Sequence, residues 1–213
     1  ASAGCNLGYV LAVLHGEVMR VLLLFYLAPL WTVLLARLLL DERLTRAGLA
    51  VVALSLAGAA IMLWHPETGL PWPRQGAEWL GLAAGFLFAL SNVLIRRARH
   101  YGVGLKSLAV FAGIVVIGLA GIVLVEPPTM PAMSGGGWGL LLAIGAVLLV
   151  INPVVQYGLA RVAAGRASVI FLFELVVAAL ASWWLAGETM DAREWLGGGL
   201  IVAASLFSAK LES

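Results

Sequence analysis

Charge is scarce in this chain. Only 11% of its 213 residues are Asp, Glu, Lys or Arg, while 62% are apolar and the mean hydropathy is +1.03. Those figures remove the soluble globular and the disordered classes. A chain of this size cannot bury so much apolar surface in one globule, so lipid must be its solvent. Cysteine is nearly absent too. Cys5 stands alone, which excludes an intrachain disulfide framework and a thiolate metal cluster. The three histidines, His15, His65 and His100, fall in separate segments without metal-ligand spacing. No glycine-rich phosphate loop is present, and no Ser or Cys has a plausible base partner, so no cofactor is implied. The basic residues occupy short turns rather than a patch, which argues against nucleic acid as a partner. Lysine is rare, two against eleven arginines. With abundant Gly and Ala, that ratio points to a GC-rich bacterial genome.

What is present is a succession of long apolar runs. A bilayer core about 30 Å thick needs roughly 20 apolar residues per helix. Eight segments qualify as candidates: 1–16 (short), 20–40, 47–64, 77–95, 105–125, 137–160, 167–186 and 193–209. Turn formers occupy the gaps, as in 65–73 and 126–137. Asp191, with Glu194 three residues on, reads as a capping box that starts the last segment. Ten of the thirteen basic residues fall on one side of the resulting topology, against Arg20, Arg74 and Arg193 on the other. The first side is expected to be cytoplasmic and to hold the C-terminus. Tryptophan agrees: seven of the eight fall at the outer helix ends or loops, where an interfacial belt belongs, and Trp31 is the exception.

The last third of the chain repeats the first third at an offset of 146 residues. That offset pairs Asn6 with Asn152, Arg20 with Arg166, Phe25 with Phe171, Leu34 with Leu180, Glu42 with Glu188 and Leu54 with Leu200. By the topology, the turn at Glu42 is cytoplasmic and the turn at Glu188 external, so the copies are inverted. Inversion requires an odd number of helices per unit, and the offset makes that number five. Residues 76–213 supply five, residues 1–65 only three, and 66–75 form an external linker. The expected parent is a ten-helix protein with two helices before Ala1. Inverted repeats of this kind build secondary transporters.

Tyr26-Leu27-Ala28-Pro29-Leu30-Trp31 through Leu38-Leu39-Leu40-Asp41-Glu42-Arg43-Leu44-Thr45 resembles the first-repeat signature of EamA-type carriers in the drug/metabolite transporter superfamily. Phe173-Glu174-Leu175-Val176 through Gly187-Glu188-Thr189 and Trp195-Leu196-Gly197-Gly198 resembles the second. The resemblance implies a ten-helix inner-membrane carrier, often an exporter of amino acids or other metabolites, with a central cavity between its halves. Two positions depart from the pattern. Leu175 stands where a Pro commonly follows the acid, which bears on the bend of that helix. Asp41 replaces the usual Gly before Glu42.

Glu174 is the sharpest candidate for chemistry. A carboxylate at depth costs on the order of 2.5–3.5 kcal/mol and should face a bundle interior or water. It serves either as a proton site or partner for a substrate amine, or as a structural acid bonded to neighbouring helices. Asn152 and Gln156, four apart on one helical face, flank Pro153 and could line a cavity. Asn6 and Tyr9 occupy the inverted equivalent position, and Ser91 and Asn92 share a face with Gly81 and Gly85. The plainer alternative is that these amides fasten helices together. Trp31 and Tyr26 could pack against a solute or simply against other helices. Glu17 and Arg20 read as an interfacial ion pair. Glu42 and Glu188 read as acceptors for the amides of the helix that follows each. Gly81, Gly85, Gly113, Gly118, Gly121 and Gly197–Gly199 read as close-packing positions.

The combined reading is an all-α polytopic membrane protein with eight transmembrane helices of a 5+5 inverted-repeat fold. It would be a secondary transporter in the bacterial inner membrane, exporting small metabolites such as amino acids or amine-bearing solutes by alternating access. Its partners would be the bilayer, the solute and protons. A non-transporting scaffold or receptor is the alternative, and an intramembrane enzyme a weaker one, because Glu174 lacks a second catalytic group at its depth.

Overall fold

The computed structural model describes residues 1–42, 45–64, 72–124, 134–181, 183–184 and 191–210. Among them it is all-helical, with α1 (Ser2–His15), α2 (Val18–Phe25), α3 (Ala28–Leu40), α4 (Arg46–Leu63), α5 (Gly76–Arg97), α6 (Val103–Leu124), α7 (Gly135–Arg161), α8 (Ala164–Ala181) and α9 (Ala192–Lys210). Six stretches are long and apolar enough to cross a bilayer: Val18–Leu40, Arg46–Leu63, Gly76–Arg97, Val103–Gly121, Gly135–Arg161 and Ala164–Ala181. The protein is therefore a multi-pass membrane protein. Of the eight expected segments, α1, with 14 residues, is too short for a full crossing, and α9 is not among the six.

The expected single helix over 20–40 is two helices. Pro29 has no N–H to give the carbonyl of Phe25, so the ladder fails there, and Pro then sits in the first turn of α3 where its missing donor costs nothing. At the 146-residue offset stands Leu175, which keeps its N–H, and α8 runs unbroken through that position.

Local chemistry sets the other ends. Asp41 closes α3 in the left-handed region, φ 55 and ψ 18, which explains why glycine is usual there. Thr45 caps α4 by accepting from Gly48 N at 3.1 Å. The capping box at Asp191 is reciprocal: Asp191 N donates to Glu194 Oε2 and Glu194 N to Asp191 Oδ1, both at 2.9 Å.

Glu42 differs from its expected role. Its carboxylate accepts from the first amide of α8, at Ala164 N (3.1 Å), rather than from α4, and also from Arg96 Nε at 3.0 Å. Arg96 further donates to the Ala160 carbonyl at the end of α7. One acid and one arginine thereby fasten the ends of α3, α5, α7 and α8. Glu188 lies outside the described residues. At the opposite end, Arg20, expected to pair with Glu17, is held by an acid from another helix. Glu78 of α5 accepts from Arg20 Nε at 2.7 Å, and both side chains are buried.

Two packings organise the bundle. α4 lies on α9 with backbone against backbone: a Cβ on Gly58 would meet Gly197 O at 2.6 Å. Behind them Met62, Leu172, Val176 and Ile201 form a buried core joining α8. α5 packs on α1, α2 and α3, and Gly85 admits the Phe25 carbonyl so closely that a Cβ would sit 2.5 Å from it. Gly118 and Gly121, expected at contacts, have nothing within 4 Å among the described residues. They lie on α6, which with α7 presents apolar side chains outward over most of its length.

Candidate functional site

A cavity of about 200 Å³ opens where the α2–α3 break meets α1, α5 and α8. The break supplies Phe25, Tyr26, Ala28 and Pro29, and one turn further on Thr32. α1 contributes Cys5, Asn6 and Tyr9, α5 contributes Phe88, and α8 contributes Ser168, Phe171, Leu172 and Glu174. Glu174 stands ten residues after the start of α8, about 15 Å along the helix and so near the middle of a bilayer core about 30 Å thick. Its side chain is exposed to the cavity, and no hydrogen bond or ion pair holds its carboxylate among the described residues. That geometry disfavours a purely structural acid, which would be bonded to a neighbouring helix.

Aromatic rings form the walls. Phe25 touches Tyr9, Tyr26 and Phe88 at centroid distances of 5.0, 5.4 and 5.6 Å, and Phe88 touches Phe171 at 5.0 Å. Phe88 therefore bridges Phe25 and Phe171, which stand 146 residues apart. Two more lining pairs, Tyr26 with Leu172 and Ala28 with Glu174, stand at the same offset, and among these six residues Glu174 alone is an acid.

Of the sequence candidates, Asn6, Tyr9, Tyr26 and Glu174 come together here. The others lie elsewhere. Ser91 is hydrogen-bonded to Ser2, joining α5 to α1, and Asn92 is buried beside it. Trp31 packs edge-on against Phe86 at 5.5 Å. Asn152 and Gln156 are on α7, which packs on α5 and α6, and their side-chain oxygens are buried without a partner among the described residues. Phe25, Thr32, Ser168 and Phe171 are lining residues that sequence reasoning did not select. The signal for two of them was available, since Phe25 and Phe171 are a repeat pair and the Pro29 break sits beside one of them.

A second cavity of about 270 Å³ lies between α4, α8 and α9. It is almost wholly apolar, and its one acid, Glu194, is engaged in the α9 cap. Among the described residues no group of His, Cys, Asp or Glu could hold a metal ion.

Residues 75–209 match the EamA-like transporter family. The chain belongs to that family. Similar proteins include an uncharacterized transporter of Archaeoglobus fulgidus, 27% identical over 210 residues, covering 94% of this chain and 70% of that protein. The pseudopaline exporter CntI of Pseudomonas aeruginosa is 30% identical over 202 residues, covering 93% and 68%. The protein RarD of Streptomyces exfoliatus is 28% identical over 207 residues, covering 92% and 60%. A crystal structure superposes with a TM-score of 0.79 at 22% identity, covering 98% of this chain and 72% of the other, a likeness of fold. Two of these relatives are named as a transporter and an exporter, and with the family they point to a carrier rather than an enzyme.

Proposed function

We propose that this EamA-family member is a secondary transporter that exports small metabolites, amino acids or amine-bearing solutes, across the bacterial inner membrane. Its two units, residues 1–65 and 76–213 joined by an external linker at 66–75, belong to a 5+5 inverted repeat, with the C-terminus in the cytoplasm. Rocking of the units about the cavity gives alternating access. Glu174 binds the solute's amine or the coupling proton in turn, with Asn6, Tyr9 and Tyr26 beside it. Asn152, Gln156, Ser91, Asn92 and Trp31 contribute to the path or to its walls as the units move.

The observation that carries this reading is the cavity lined by three residue pairs at the 146-residue offset and holding one carboxylate that no described residue engages. The exporter named among the relatives supports the direction. Flux of a labelled panel of amino acids and amines in vesicles tests it. Concentrative movement of at least one solute, abolished by dissipating the proton gradient, is expected. Absence of flux for every solute would favour a scaffold.

A further inference from the structure

We infer that the cavity is an aromatic cage for an organic ammonium ion that carries no carboxylate of its own. The inference rests on the reading of this cavity as the solute site and narrows its ligand. Five rings, Tyr9, Phe25, Tyr26, Phe88 and Phe171, border a space of about 200 Å³ and are chained by contacts of 5.0–5.6 Å. At a water's share of about 30 Å³, that space holds the equivalent of about seven waters, enough for a small alkylammonium. The rings are tilted or edge-on to one another, with interplanar angles of 51–86°, rather than stacked face to face. Electron-rich ring faces attract a cation, most strongly where water is excluded.

The polar lining points the same way. No Lys, Arg or His borders the cavity, and Glu174 is its one ionisable carboxylate. At the repeat-related position stands Ala28, so no second charge completes a zwitterion site. Thr32 Oγ1 already donates to the Ala28 carbonyl at 3.0 Å, and Ser168 Oγ to the Gly165 carbonyl at 2.7 Å. Each hydroxyl therefore offers only lone pairs to a ligand, which match ammonium N–H groups and not carboxylate oxygens. The helix ends at the break do not change this. The negative end of α2 abuts the positive end of α3 across Tyr26 and Leu27, so the two partial charges largely offset one another. A solute carboxylate here would meet Glu174 and the rings with no cationic partner, and only the neutral donors of Asn6, Tyr9 and Tyr26 could answer it.

Equilibrium dialysis of the purified protein in lipid nanodiscs tests this with three probes of similar size. They are choline, its neutral isostere 3,3-dimethylbutan-1-ol and the zwitterion glycine betaine. Choline is expected to bind at least about tenfold more tightly than either. Phe88→Leu should weaken choline roughly two- to thirtyfold while leaving the neutral isostere unchanged, and Phe88→Trp should retain choline binding. Equal binding of the isostere, betaine binding as well as choline, or no choline binding overturns the cage. The wild-type ratios decide the matter even if a Phe88 variant does not fold. Choline binding without flux of any solute would remove the transport reading and leave the cage. Flux of an amino acid without choline binding would do the reverse.

Discussion

Glycine positions on α5 and α6 look alike in sequence and differ completely in surroundings. Gly85 lies against the carbonyl of Phe25, which Pro29 has deprived of its helical donor, whereas Gly118 faces open space. A methyl group at residue 85 must push backbone, which has no low-energy way to yield. Gly85→Ala should therefore destabilise the protein by about 1–3 kcal/mol through overpacking, and Gly118→Ala should cost nothing. Thermal unfolding of the two variants in the same detergent checks the contrast. Equal melting temperatures would mean that α2 and α5 do not approach as closely as described. Glu174 carries the other prediction at this scale. Because no described residue holds its carboxylate, Glu174→Gln should leave folding intact while abolishing proton-coupled flux. Wild-type flux with an unchanged response to pH would remove Glu174 from the mechanism.

Among the elements, α3 and α8 show what a local pattern reveals and what it hides. The capping box at Asp191 was legible because its two residues lie three apart on one turn. The break after Phe25 was legible in principle from Pro29, but the hydropathy of 20–40 is uniform and masks it. Glu42 was recognised as a turn acid, yet its partners are 54 and 122 residues away, and no local pattern encodes which helix end a carboxylate will reach. The same limit applies to Arg20, whose partner Glu78 belongs to a different helix. Glu42→Ala removes a bond to Arg96 and the cap on α8 together. It should destabilise the protein by about 1–2 kcal/mol, discounted for the partial exposure of the pair. Arg96→Met combined with Glu42→Ala should then cost little more than Glu42→Ala alone, and additive losses would show that the two do not act as one staple.

At the level of the whole molecule, composition and charge placement carry most of what the sequence reveals. Apolar runs identify the spans because the bilayer imposes a length on each one, and Arg and Lys in the turns set their direction. Cavity membership was only partly legible. Asn152 and Gln156 have the same amphipathic spacing as a cavity face, but their helix packs on α5 and α6. The inverted offset was the better guide, since three lining pairs obey it. The charge distribution also makes a checkable statement about orientation. A fluorescent protein fused after Ser213 should light up in the cytoplasm, and a periplasmic alkaline phosphatase fused there should stay inactive; the opposite pattern would invert the topology.

The reading of this chain as a carrier depends on solute occupying the cavity between α2, α3 and α8. Cys5, the single cysteine of the sequence, lines that cavity, so its rate of reaction with methyl methanethiosulfonate reports occupancy in the unmodified protein. A solute that moves in the flux experiment should slow the modification in proportion to its saturation of the site. An unchanged rate at saturating concentration of a transported solute would place the transport path elsewhere.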